Sequence, residues 1–174
     1  MKLLLKVVGG FAALILALLL VAFFFPREYR VERTVVTKAK AEAVLPQIAD
    51  LKMWKNWGAW QERDPGMKMT FSPVTTGVGA WSAWESAKEG NGKMTITSQT
   101  PTKVSYLLEF PDMGTKSNGS IDLIAEASGT RVVWVDAGDL GNNPVNRWFG
   151  LFLEKIIGPD FERGLANLKR LVEK

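Results

Sequence analysis

Apolar positions are spread unevenly along the chain. Residues 1–25 hold 21 apolar residues, interrupted only by Lys2, Lys6, Gly9 and Gly10, and no charge occurs from Val7 to Phe25. As a helix, that uncharged run of 19 residues reaches about 28 Å, close to the hydrocarbon thickness of a bilayer. It is apolar on every face, which suits lipid rather than a one-sided core. A cleaved signal peptide has a shorter apolar run and small residues at its cleavage site. Here the run ends in Ala22-Phe23-Phe24-Phe25-Pro26, so residues 1–26 are expected to form an uncleaved transmembrane anchor and residues 27–174 a water-soluble domain. The flanking charges point both ways. Arg27, Arg30, Arg33, Lys38 and Lys40 favour a cytoplasmic domain, while a short Lys-bearing start ahead of an apolar run is also the usual start of an outward-facing one.

Beyond residue 27 the pattern changes. Tyr29, Val31, Arg33 and Val35 alternate with Arg30, Glu32, Thr34 and Val36, which predicts a half-buried strand. Ala41, Val44, Leu45, Ile48 and Leu51 recur at helical spacing, with Pro46 inside the run. Two short helices are expected, about 41–49 and 51–57. Glu62-Arg63-Asp64-Pro65-Gly66 reads as a loop. Strands are expected over 67–71, 80–85, 93–99, 103–110, 116–127 and 130–138. Glu89-Gly90-Asn91-Gly92 between two of them carries the Asn-Gly of a type I′ hairpin turn. The period then returns to helical. Asn143 can cap a helix that has Pro144 at its first position. Trp148, Leu151, Phe152, Lys155 and Ile156 follow at helical spacing, and Gly158-Pro159 predicts a kink, with Asp160 capping the continuation. Segregated helices and antiparallel strands give an α+β domain.

Several stretches, in order, resemble the START/Bet v 1-like (SRPBCC) superfamily, and most of all its bacterial polyketide cyclase/dehydrase-like branch. They are Val31–Val36 followed by Ala41–Val44, Ile48–Leu51 with Trp54, Trp57 and Trp60, and Glu62–Met67. Gly77–Ala80 ahead of Trp84-Glu85, Gly92–Thr97 and Asp160–Lys169 complete the set. The resemblance covers roughly residues 31–172. It implies a helix-grip fold, a curved antiparallel sheet wrapped round a long C-terminal helix with a ligand cavity between them. It brings no invariant catalytic set, because such folds include enzymes, lipid carriers and hormone and sterol binders.

Composition narrows the chemistry. The chain has 174 residues with no His and no Cys. Disulfides, thiol nucleophiles, zinc fingers and Ser-His-Asp triads are therefore excluded. No metal cluster, phosphate loop or paired-carboxylate motif appears, so no cofactor is expected. The net charge is +4, with basic residues scattered rather than striped, which argues against nucleic acid. Nothing in the sequence signals an oligomeric state. Arg27, Arg30 and Arg33 stand where anionic head groups could meet them.

Met67, Met69, Phe71, Trp81, Trp84, Met94, Ile96, Tyr106, Leu108 and Phe110 are candidates for the inward sheet face. With the cavity that the resemblance implies, the expected lining is Trp54, Met69, Phe71, Trp81, Trp84, Met94, Tyr106, Phe110, Trp134 and Phe152. The Trp54/Trp57/Trp60 series reads either as an aromatic gate or as a pin holding the short helices to the sheet. Among carboxylates, Glu85 and Asp136 are the weak candidates for an acid or base, each two positions from an apolar residue on its strand face. Three functions remain. One is a membrane-anchored domain binding a hydrophobic small molecule or lipid, in a single-pass protein of a bacterial inner membrane. The others are a cyclase- or dehydratase-like enzyme on an apolar substrate, and a structural domain with a collapsed cavity.

Overall fold

A computed structural model describes residues 1–174. Helix α1 (Lys2–Val21) is followed by a 3₁₀ turn over Ala22–Phe24. Together they are long and apolar enough to cross a membrane, and no residue of α1 is buried against the rest of the chain. Strand β1 (Glu28–Thr37) leads to α2 (Ala41–Ala49), a 3₁₀ turn over Met53–Asn56, and α3 (Ala59–Arg63). Strands β2 (Lys68–Phe71), β3 (Trp81–Glu85), β4 (Gly92–Thr100), β5 (Lys103–Phe110), β6 (Thr115–Glu126) and β7 (Gly129–Asp139) precede the long helix α4 (Pro144–Val172).

Two prolines do less than their sequence positions suggest. Pro46 lies inside α2 without ending it. It removes one internal hydrogen bond, while Val44, Ile48 and Ala49 are buried and hold the helix on the sheet. Gly158-Pro159 likewise leaves α4 continuous from Pro144 to Val172. Asp160 is therefore an interior helical residue and not a cap; its carboxylate is taken by Arg63. The cap expected at the start of α4 is present, with the Asn143 side chain accepting from the Val145 amide at 2.9 Å. Residues 59–63, expected to run into a loop, form α3, and the second short helix is only the 3₁₀ turn at 53–56.

The strands form one antiparallel sheet in the order β1-β7-β6-β5-β4-β3-β2. It is a meander whose last strand receives β1 along its free edge. The β3–β4 connection is longer than the expected two-residue turn. Ser86 Oγ accepts from the amides of Lys88 and Glu89 (3.1 and 2.8 Å). Gly90 supplies the positive φ, and Gly92 already belongs to β4. A register shift between Ile96 and Ser98 interrupts the β4–β5 ladder, as bulges do where a sheet bends. The curved sheet with α4 across it is the α+β helix-grip arrangement.

The core lies between sheet and helices. Trp134 of β7 is its hub. The Phe161 ring of α4 stacks on it at 4.0 Å, and Trp54, Trp57 and Trp60 meet it edge-on at 5.7, 5.2 and 5.9 Å. Trp54 and Trp57 donate their indole N–H groups to the carbonyls of Ile48 and Gln47. They pin the end of α2 to the sheet, while half-buried Trp60 reaches the cavity beside them.

Candidate functional site

A cavity of about 190 Å³ lies between the sheet, α3 and α4, and 14 of its 20 lining residues are hydrophobic. All seven strands build it from the same side. Tyr29 on β1, Asp136 on β7, Ser117 on β6, Leu108 and Phe110 on β5, Met94 on β4, Trp84 on β3 and Met69 on β2 all line it. The pairings Glu28–Asp139, Phe110–Thr115, Lys93–Glu109 and Lys68–Glu85 define the strand ends on that side. These are the ends from which the chain runs back to α1.

The polar end of the cavity is assembled by two strand glycines. In the register, Gly138 stands opposite both Tyr29 and Ser117. A Cβ at 138 would come within 2.6 Å of the Tyr29 ring, so its absence lets Tyr29 lean along the sheet towards Asp136. Gly119 stands between Asp136 and Tyr106, and a Cβ there would collide with the Tyr106 ring. Across these gaps the Tyr29 hydroxyl donates to Asp136 Oδ1 at 2.8 Å, and the Ser117 hydroxyl donates to Oδ2 at 2.9 Å. Tyr106 accepts from Trp134 Nε1 at 2.7 Å. Neither the Tyr106 proton nor the Ser82 hydroxyl has a protein partner, and both residues line the cavity.

Burial sets the electrostatics. It raises the Asp136 carboxyl above its ordinary value, against the hydrogen bonds from Tyr29 and Ser117 that favour the ion. It also pushes both phenols up, helped by the neighbouring Asp136 charge. Tyr29 and Tyr106 therefore keep their protons as donors, and Asp136 is the one group in the floor that titrates. At the rim, Arg63 bridges Glu89 of the β3–β4 loop (2.7 Å) and Asp160 of α4. Both carboxylates line the cavity, so the guanidinium clasps α3, the loop and α4 across the mouth.

Of the residues expected to line a cavity, Trp54, Met69, Trp84, Met94, Tyr106, Phe110 and Trp134 come together here. Three do not. Trp81 lies on the opposite sheet face from Ser82 and Trp84, where Lys93 Nζ sits 5.3 Å from its ring, because alternate strand residues point to opposite sides. Phe71 packs half-buried against the core outside the cavity. Phe152 is exposed on the outer side of α4. Of the two carboxylates, Glu85 is exposed at the end of β3, and Asp136 faces the cavity. Arg27, Arg30 and Arg33 are already paired, with Asp139, Glu32 and the Glu154–Glu162 pair. The sequence reading missed Tyr29, Ser117 and Ser82; the strand glycines at 119 and 138 were the available signal, since a glycine inside a strand marks close approach.

A family model described as polyketide cyclase / dehydrase and lipid transport matches residues 28–173. No curated protein matches the chain. Solved structures resemble it at low identity. A Chromobacterium violaceum protein is 19% identical with a TM-score of 0.55, over 86% of this chain and 99% of that one. A Helicobacter pylori protein is 8% identical with a TM-score of 0.63, over 82% and 87%. A protein of the dynemicin biosynthetic locus is 14% identical with a TM-score of 0.58, over 86% of this chain and 48% of that one. At these identities the likeness bears on the fold.

Proposed function

The chain belongs to the polyketide cyclase/dehydrase and lipid transport family, and from that premise we propose that it is a membrane-anchored domain that binds a hydrophobic small molecule or a lipid portion in its cavity. The observation that carries this reading is an apolar chamber closed at one end by Tyr106 and the Tyr29–Asp136–Ser117 cluster, with the Ser82 hydroxyl further along its wall on β3. Binding sites of this kind are mostly apolar with a few placed polar groups. The free Tyr106 hydroxyl suits a ligand with one carbonyl or hydroxyl at its buried end. The volume of about 190 Å³ is below the roughly 300–1,000 Å³ of drug-sized sites. It accommodates a compact ligand or the tip of one chain, and a larger ligand requires the Arg63 clasp to open. The anchor is α1, with no residue buried, and the turn after it, of which Ala22 is covered.

Native mass spectrometry of the full chain released from lipid nanodiscs tests this. A hydrophobic adduct is expected on the native chain and is expected to vanish in Ser82→Trp, which fills the chamber from β3. An adduct that persists unchanged in the variant would place the ligand elsewhere. A second reading rests on the Asp136–Tyr29 pair. A carboxyl whose hold on its proton is strengthened by burial, beside a phenol in an apolar site, suits a general acid for a substrate carbonyl. In that case Asp136→Asn abolishes turnover and leaves the adduct in place; retention of turnover removes the enzyme reading.

A further inference from the structure

The first half of α4 carries an apolar stripe that the fold leaves uncovered. Val145, Phe149, Phe152 and Ile156 follow one another at spacings of four, three and four, so they lie on one helix face. They are 62%, 54%, 51% and 49% exposed. The opposite side of the same turns is spoken for. Glu154 pairs with Arg33 of β1 at 2.6 Å, Leu153 is buried, and Ile157 lines the cavity. A contiguous apolar face of this kind marks an interaction site.

Its surroundings indicate what covers it. The indole N–H of Trp148 donates to the Leu18 carbonyl in the last turns of α1 at 3.0 Å. The Phe25 ring meets the Trp148 ring edge-on at 4.6 Å. Arg147, buried, donates to the Phe23 carbonyl at 3.0 Å and to the Gly141 carbonyl at 3.1 Å, and its guanidinium sits over the Phe23 ring. The exit of α1 is therefore fixed against the start of α4. With α1 across a bilayer, Arg147 and Trp148 are held at the level where the span emerges, the depth that aromatic side chains favour, and the stripe starts beside them. The one acidic residue in this half of α4, Glu154, faces away from the stripe towards Arg33, which it shares with Glu162, and Lys155 is the charge beside the stripe. That combination suits an anionic lipid surface.

We propose that the Val145–Phe149–Phe152–Ile156 face of α4 lies in the membrane interface, its side chains among the upper acyl chains. This rests on the reading of α1 as an anchor and adds a second, in-plane contact to it. It has a consequence for loading. Ile156 adjoins Ile157 of the cavity wall, and the cavity lies at the same end of the sheet as the exit of α1. Docking brings the mouth to the lipid surface, so a hydrophobic ligand moves between bilayer and cavity without crossing bulk water.

The absence of Cys makes a direct test available. Single nitroxide labels are placed on the full chain through Leu14→Cys, Phe149→Cys, Phe152→Cys and Thr102→Cys. Each protein is reconstituted in vesicles of phosphatidylethanolamine and phosphatidylglycerol. Collision with oxygen is then compared with collision with a water-soluble nickel complex. Thr102, in the β4–β5 turn at the far end of the sheet, is expected to favour nickel. Positions 149 and 152 are expected to shift towards the oxygen-rich, nickel-poor ratio of position 14. Lipid-like values at 14 with nickel-accessible values at 149 and 152 would overturn the docking and leave the anchor standing. Water-like values at 14 would remove the anchor and the docking with it. Labels at 149 and 152 shielded from both reagents would mean a protein surface covers the stripe, which also overturns the proposal.

Discussion

The two halves of α4 carry similar apolar stripes and meet opposite surroundings. Beyond Pro159, Phe161, Leu165 and Leu168 are buried against the sheet. Before Gly158, Val145, Phe149, Phe152 and Ile156 are open. Helical spacing of apolar residues reports that a face needs an apolar neighbour. It does not say whether that neighbour is a sheet or a lipid layer. The half beside the cavity makes the core, and the half beside the exit of α1 is left for something outside the chain.

Truncation of one ring in each half breaks the comparison most sharply. Phe161→Ala removes the ring stacked on Trp134 and is expected to lower stability by about 3–5 kcal/mol, the usual cost of deleting a buried aromatic. Phe152→Ala is expected to change it by no more than about 0.5 kcal/mol, as for exposed positions. Urea unfolding of the full chain in a non-ionic detergent, followed by the fluorescence of the buried Trp cluster, measures both. Equal losses would show that the first half is core after all.

The same contrast explains what the sequence made legible. The apolar N-terminal helix, the seven strands and the long terminal helix followed from periodicity, because each element's pattern is local. The cap at Asn143 was equally local. What failed depended on partners far along the chain. Phe152 was expected in the cavity because a stripe at helical spacing was read as a core stripe. Trp81 and Trp84 were both expected inside, although period two allows only one of them. Asp160 was read as a cap after Gly158-Pro159, yet α4 runs on through that dipeptide, held by packing that no local rule contains. The polar floor joins β1, β6 and β7 through Tyr29, Ser117 and Asp136, three positions that no spacing rule connects.

The buried side of the comparison also holds an ionisable group. Asp136 has its folded-state pKa raised by burial above the ordinary 3.8. The folded chain therefore binds this proton more tightly than the unfolded chain does. The stability this contributes is full below the unfolded pKa and is lost as pH rises through the folded one. Asn at this position keeps an acceptor for Tyr29 and carries no charge. Asp136→Asn is thus expected to gain stability relative to the native chain as pH rises above the ordinary carboxyl value of 3.8. The other carboxylates cancel in the difference, including Asp139, which Arg27 holds down at about 2. A difference in unfolding midpoints that does not vary with pH would mean that Asp136 is better solvated than its position implies.

A smaller effect on stability than that of Phe161→Ala is expected where the two halves of α4 meet. Asp160 follows Pro159 and is held by Arg63, which also holds Glu89. The Arg63 side chain is 45% exposed, but Glu89 and Asp160 are only 16% and 14% exposed, so Arg63→Gln leaves two largely covered carboxylates unpaired and is expected to cost about 1–3 kcal/mol. Its effect on exchange should be larger. Without the guanidinium, Glu89 and Asp160 confront each other across the mouth as like charges. The β3–β4 loop then has no tie to α4, and a bound hydrophobic fluorophore is expected to leave faster while its buried contacts stay the same. Stopped-flow measurement of that release from the native and Arg63→Gln chains separates the roles. Faster release with the fold intact makes the clasp a gate between the lipid-facing and sheet-facing halves. Unchanged release would mean that the ligand leaves by another route.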